Sequence, residues 1–291
     1  MIELDQFLKW CDTQYSNTPH CQCGNACTNS SFCRGLHTDC YACIQRVHNY
    51  RNNTVHYNCD KQVLYYALKH TYRFGAEMFY ELSKIRKEIA TWQDIYIASI
   101  GCGPCSELFG SLSYWRTLMK GDNDFHYRGF DTERLWLPIM QQVEGRCNAL
   151  DVHAFDTDAF AYYGQSAERI DIIELNYMLS DMMKFQGIRQ YDQFLNNLII
   201  LIRQKKPRYL LVNDIYLLVS LGANNRMLKF LNEAGLAYKY MKLQYHAYHP
   251  YIGQFGRQIP KQPFVMPNAA LVKKYDPFPE TNSIQVIIRF Q

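Results

Sequence analysis

The chain has 291 residues, 48% of them apolar, and its 31 Lys/Arg against 27 Asp/Glu give a formal net charge of +4. That length suffices for one large core plus a small appendage. The longest apolar runs, Leu198–Ile202 and Tyr209–Val212, are far too short to span a bilayer, and residues 1–5 lack the basic-then-apolar layout of a signal peptide, so a cytoplasmic protein with no membrane partner is expected.

In chain order, the first feature is a cysteine cluster. Seven of the eleven cysteines fall close together: Cys21, Cys23, Cys27, Cys33, Cys40, Cys43 and Cys59, with His20, His37, His48 and His56 interleaved. Residues 17–45 hold few large apolar side chains and many turn formers, so this stretch cannot build a core of its own. Coordinate or covalent bonds must hold it. Thiolates spaced one to three residues apart can converge on a tetrahedral ion, and the seven cysteines with His37 would fill two four-ligand zinc sites. An iron–sulfur cluster, which also uses four thiolates, is the alternative. Disulfides suit neither the odd count nor a reducing compartment. Residues 1–60 therefore read as a Cys-rich metal-binding module. Such closed sites are usually folding devices, and its place ahead of the main domain suggests a lid or recognition module.

Residues 61–91 carry apolar side chains at three- and four-residue steps, from Val63 and Leu64 to Ile85 and Ile89, which predicts one or two helices as a linker. From residue 92 to 291, strands and helices alternate. Strands are predicted at 95–100, 127–130, 147–155, 170–175 and 209–212, and helices at 106–119, 133–143, 191–203 and 224–234, the last stopped by Gly235. Late strands at 238–245 and 284–290 could pair as a hairpin-like edge. This order predicts an α/β fold with a Rossmann-like, mainly parallel sheet and helices on both faces. The proline-rich segment between the late strands reads equally well as a substrate loop or as a rigid surface connection.

The sharpest motif is the run from Ile97 to Leu108, where a buried strand enters Gly101-Cys102-Gly103-Pro104 and then a helix. Glycines there permit a tight turn and a close approach of a ligand to the backbone. Asp131 follows 28 residues after Gly103, at the end of the next strand. The position that a third glycine of G-x-G-x-x-G would occupy is Ser106, which speaks against a dinucleotide. The run resembles the first motif of class I S-adenosylmethionine (SAM)-dependent methyltransferases, and the resemblance covers roughly residues 92–245. It implies SAM as cofactor, held by Gly101, Cys102, Gly103, Pro104, Glu107, Asp131, Thr132, Asp156 and Asn176. Asp131 would take the ribose hydroxyls and Asp156, or alternatively Asp151, the adenine amine. Asn176 and Tyr177 follow the fourth strand, where amino-methylating enzymes keep N/D-P-P-Y, but the Pro-Pro pair is absent. They are the catalytic candidates: Asn176 could orient an amine and Tyr177 could stack on a planar target, or both could simply satisfy the turn. His246 and His249 are possible general bases, and Cys102 and Cys105 read as small buried side chains.

Residues 201–291 hold 13 Lys/Arg against 4 Asp/Glu, whereas residues 101–200 hold 8 against 14. A basic third suits RNA, so methyl transfer to RNA is the expected activity. A protein or small-molecule methyltransferase, or an assembly factor of the same fold without turnover, remains open.

Overall fold

A computed structural model describes residues 2–18, 40, 44, 57, 59–148, 150–246, 257–260, 263–278 and 282–291. The chain opens with α1 (Ile2–Asn17), then α2 (Asp60–Ser83) and a short α3 (Arg86–Ile89). The alternating part follows as β1 (Ile95–Ile100), α4 (Ser106–Thr117), β2 (Phe125–Asp131), α5 (Leu137–Arg146), β3 (Asp151–Asp156), α6 (Ala159–Gln165) and β4 (Ile172–Asn176). One turn of helix α7 (Leu179–Asp181) and a wide π-helical turn (Met182–Gln186) lead into α8 (Gly187–Lys205), β5 (Tyr209–Ile215) and α9 (Leu218–Glu233). The end of the chain adds β6 (Tyr238–His246), β7 (Arg257–Pro260), α10 (Ala269–Tyr275) and β8 (Ser283–Phe290).

The strands form one sheet in the order β3-β2-β1-β4-β5-β8-β6-β7. The first five are mutually parallel. β8 runs antiparallel to both β5 and β6. The two late strands do pair, but they are not an edge hairpin. β8 is inserted beside β5 and its residues from Ser283 to Ile288 are buried, while β7 takes the rim. The mainly parallel Rossmann-like sheet is as read from the sequence.

Helices cover both faces. One core joins α1, α2, α4 and α5 to the sheet through Phe7, Leu64, Phe109 and Tyr127; the other joins α6, α8 and α9 through Tyr163, Leu198 and Met227. Leu4, Phe7, Leu8, Cys11 and Tyr15 make the apolar stripe of α1, and Glu3 and Asp5 stand in its first turn, where the helix dipole favours acids. Two boundaries drawn from sequence therefore shift. Residues 2–17 belong to the main core rather than to a cysteine module. The 61–91 segment is no linker: α2 is buried from Lys61 to Leu82 along nearly its whole circumference. It crosses α4 so closely that a Cβ on Gly110 would lie 2.1 Å from the Gly75 carbonyl oxygen.

Candidate functional site

The chain order makes β1 and β4 neighbours, with the chain passing to opposite sides of the sheet from them. This switch point leaves a crevice beyond the carboxyl ends of the strands, which is where open α/β sheets bind ligands. A cavity of about 480 Å³ occupies it, walled by residues from 57 to 194. That volume suits a cofactor-sized ligand.

The floor is the turn after β1. Gly101 (φ +70°) and Gly103 (φ +48°) both adopt left-handed backbone, and a Cβ on Gly101 would lie 2.6 Å from Met178 Sδ. The Gly101 and Cys102 amides donate to the Phe130 carbonyl at 2.8 and 3.0 Å, tying the turn to the end of β2. Gly103 N donates to Asp131 Oδ2 at 2.9 Å, and Glu133 N donates to Oδ1 at 2.8 Å. Burial pushes the Asp131 carboxyl up to about 6, and these two amide bonds oppose that rise. Gly101, Cys102, Gly103, Pro104, Glu107, Asp131, Thr132, Asn176 and Tyr177 all line the cavity, so the structure brings together nearly the whole set read from the motifs.

Asp156 is the exception. It ends β3 in register with Asp131, lies 3.8 Å from Arg134, and stands outside the cavity wall. Thr157 and Asp158 form that part of the wall instead, with Asp158 also capping α6 through a 2.9 Å bond from Ala161 N. Asp151, the alternative, is bonded to Arg128 and His126 at the start of β3.

The remaining members are held by bonds within the protein. Glu107 is buried and accepts from Ser99 Oγ (2.6 Å), Tyr127 OH (2.7 Å) and Asn176 Nδ2 (3.4 Å); burial raises its carboxyl above the usual range. Asn176 Oδ1 accepts from Asn213 Nδ2 at 2.9 Å, so both ends of its amide are engaged. Tyr177 (φ +55°) stacks on Phe74 with ring centroids 3.9 Å apart and donates to Glu77 Oε2 at 2.9 Å. Its planar partner is thus Phe74. These contacts hold Asn176 and Tyr177 in the turn after β4, and both residues line the cavity. Cys102 and Cys105 are buried, as expected of small cysteines beside a strand, with their Sγ atoms 3.7 Å apart.

Sequence reasoning missed an aromatic wall. Tyr57, Tyr66 and Trp136 meet edge to face with centroids 5.1–5.5 Å apart, and Trp136 lies 3.5 Å from a Cβ built on Gly103. Phe130, Phe160, Met178, Met182 and Phe185 also line the cavity. Asp181 also lines the cavity, one residue after Ser180, whose amide and hydroxyl are clamped by Asp214 at 2.8 and 2.5 Å.

Of the cysteine cluster, Cys40 and Cys59 are described and both are buried; Cys21, Cys23, Cys27, Cys33, Cys43 and His37 lie outside the described residues. Among the described residues no group of three or more His, Cys, Asp and Glu converges as a metal site. His246 closes β6, and His249 lies outside the described residues. No described helix is long and apolar enough to cross a membrane.

A scan of the sequence against family models finds no match, and neither does a search of curated proteins. Several solved structures align with the chain. A Listeria monocytogenes protein assigned to the class I SAM-dependent methyltransferases aligns over 75% of this chain and 59% of its own length, at 14% identity and TM-score 0.46. The match thus spans under two thirds of that protein. Magnesium protoporphyrin IX methyltransferase from Synechocystis, with bound SAM, aligns over 84% of this chain and 89% of its own at 10% identity and TM-score 0.42. An rRNA methylase from Streptococcus thermophilus gives 72%, 96%, 10% and 0.40 for the same quantities. All three are loose matches, so the functional argument rests on the site itself.

Proposed function

We propose that this chain binds SAM in the switch-point cavity and transfers its methyl group to an acceptor. The observation that carries the reading is the joint between the glycine turn and Asp131: a Gly101-Cys102-Gly103 turn, left-handed at both glycines, whose last amide sits 2.9 Å from a carboxylate lining the cavity. The residues fit such a cofactor. Gly101 and Gly103 leave the backbone bare for close approach, Asp131 can accept from two ribose hydroxyls, and Phe160 and Phe130 offer apolar surface for a base. When bound, SAM supplies an activated methyl on a sulfonium. What the chain adds is orientation and exclusion of water, through the aromatic wall together with Met182 and Phe185. Calorimetry with S-adenosylhomocysteine (SAH) tests the reading; micromolar affinity, roughly −8 kcal/mol, is expected. No binding by folded protein would overturn it. Methyl transfer from labelled SAM into small-molecule, protein and RNA fractions separates an enzyme from a binding factor without turnover.

RNA as acceptor is a second reading, favoured by the basic C-terminal third. Several of those bases are engaged within the protein: Arg226 with Asp192, Lys274 with Asp12 and Arg289 with Glu88. Lys205, Lys206 and Arg208 lie ahead of β5, at the end of the sheet away from the cavity, and Lys261 lies outside the described residues. RNA affinity measured against salt tests it, because each neutralised phosphate releases counterions. A zinc site, or an iron–sulfur cluster, in the N-terminal cysteine set belongs to the same proposal. The thiolate spacing supports it.

A further inference from the structure

The turn after β4 shapes the cavity with a strained backbone. Tyr177 sits there at φ +55°, a left-handed conformation that costs a residue with a side chain free energy and persists only where the surroundings offset it. Asn176, Tyr177 and Met178 line the cavity, and Met178 Sδ lies 2.6 Å from where a Cβ on Gly101 would stand, so this turn packs on the glycine turn. The Tyr177 amide donates to the Asn213 carbonyl at 2.6 Å and its ring stacks on Phe74. Its hydroxyl donates to Glu77 Oε2 at 2.9 Å.

Glu77 is fully buried on α2 and does not itself line the cavity. Its Oε2 also accepts from Asn213 Nδ2 at 2.7 Å, and its Oε1 accepts from Ser283 Oγ at 2.7 Å. Its backbone carbonyl accepts from Gln285 Nε2 at 2.8 Å. Arg73, one helical turn earlier, lies 3.7 Å from Oε1 and packs on the rings of Phe74 and Tyr177. One carboxyl thus ties α2 to the turn after β4, to β5 and to β8. Asn213 carries the tie onward, because its Nδ2 also donates to Asn176 Oδ1 at 2.9 Å. A buried polar network whose acceptors are filled in this way fixes one geometry of the groups it joins. Resting on the methyl-transfer reading, we propose that Glu77 is a positioning residue for the cofactor cavity: through the Tyr177 hydroxyl it holds the turn after β4 in its left-handed form against the glycine turn. α2 lies outside residues 92–245, so this support comes from beyond the segment that carries the SAM-binding motifs.

Two hydroxyl deletions in the full chain test this. Tyr177→Phe removes the link to Glu77 and keeps the ring on Phe74. Ser111→Ala removes a hydroxyl from another buried carboxyl, that of Glu174 at 2.7 Å, and Ser111 lies outside the cavity wall. Each variant loses one buried hydrogen bond, so a merely structural role for Glu77 predicts similar drops in Tm and no difference at the cavity. In calorimetry, Tyr177→Phe is expected to weaken SAH binding by about fivefold or more, the net worth of roughly one hydrogen bond, with Ser111→Ala within about twofold of wild type. In hydrogen exchange of the free chain, residues 176–182 should exchange faster in Tyr177→Phe and at the wild-type rate in Ser111→Ala. Glu77→Ala should weaken SAH binding as well, and adding Tyr177→Phe to it should cause little further loss, because both break the same link. The two hydroxyl variants decide the matter if Glu77→Ala does not fold. Wild-type exchange over residues 176–182 in Tyr177→Phe overturns the inference, as does equal SAH affinity in the two hydroxyl variants. The cofactor reading fails separately, by absence of SAH binding to the wild type, and exchange on the free chain still judges the role of Glu77.

Discussion

At the scale of single residues, Asp131 is where fold and chemistry meet. Its carboxylate must be ionised to accept two hydroxyl hydrogens, yet its pKa is pushed up to about 6 by burial. Cofactor affinity is therefore expected to hold above that value and to fall as pH drops through it, because a protonated carboxyl loses acceptor capacity. Calorimetry of SAH between pH 5 and 8 reads this directly. Asp131→Ala should weaken binding by about 1.5–3 kcal/mol, as for a charge-assisted bond, and should flatten the pH dependence. A folded Asp131→Ala protein with wild-type affinity would remove the residue from the site. Gly101→Ala makes a second residue-scale case. At φ +70° a side chain is strained whatever space surrounds it, and here Met178 is already 2.6 Å away. Binding should weaken by more than tenfold with little change in fold content by circular dichroism. Both residues were legible in the sequence because strand, turn and acid recur at set spacings. Trp136, Tyr57 and Asp181 were not, since no local pattern says which aromatic or acid the tertiary fold will turn into a cavity.

At the scale of elements, α2 explains what periodicity alone could not show. Its steps of three and four residues predict a helix, and the helix is there, but periodicity does not say how much of its surface is covered. In the structure its buried residues run round it and include Lys61, Lys69, Arg73, Glu77 and Glu81. Such charges mimic a solvated face in sequence, which is why the element read as a linker. α1 left a plainer signal, Leu4, Phe7, Leu8, Cys11 and Tyr15 on one stripe, masked only by its position ahead of the cysteines. The α2–α4 crossing gives a sharp test. Gly110→Ala would put a methyl 2.1 Å from the Gly75 carbonyl oxygen and must push two backbones apart. A loss of about 1–3 kcal/mol is expected, or about 2–10 °C in Tm. Gly222→Ala, where a Cβ meets nothing within 4 Å, should gain about 0.4–1 kcal/mol instead. Beneath the same crossing, Glu174 on β4 accepts from Ser111 at 2.7 Å and is pushed up to about 8 by burial and by Glu107. Its unfolded value is near 4.5. Below that pH both states hold the proton, so no stability is lost. As pH rises from 4.5 to about 8 only the unfolded chain releases it, and stability drains across that window. Glu174→Gln should remove this loss, so its advantage over wild type in urea unfolding should grow from pH 5 to pH 8, to a few kcal/mol at about 1.4 kcal/mol per pKa unit.

At the scale of the whole molecule, the two ends of the N-terminal segment are tied to the α/β part of the chain. α1 packs on α2 and α5, and the chain returns through Tyr57, in the cavity wall, and Cys59, at the N-terminal cap of α2. Cys40 and Ile44 are buried in the same core. Tyr57 and Cys59 thus stand at the junction between the aromatic wall and α2. If the cysteine cluster holds metal, removing the metal should be felt at the cofactor site as well as in stability, because Tyr57 is only two residues from Cys59. Elemental analysis of purified protein should find zinc at about one or two ions per chain, by four-ligand arithmetic. Prolonged chelation should then lower Tm and weaken SAH binding together, and restoring zinc should recover both. Iron with inorganic sulfide and a brown colour would substitute a cluster for zinc and leave the coupling expectation intact. Chelation that lowers Tm while SAH affinity stays at its starting value would separate the module from the cavity. A metal-free chain with full stability would show that the cysteines hold no ion.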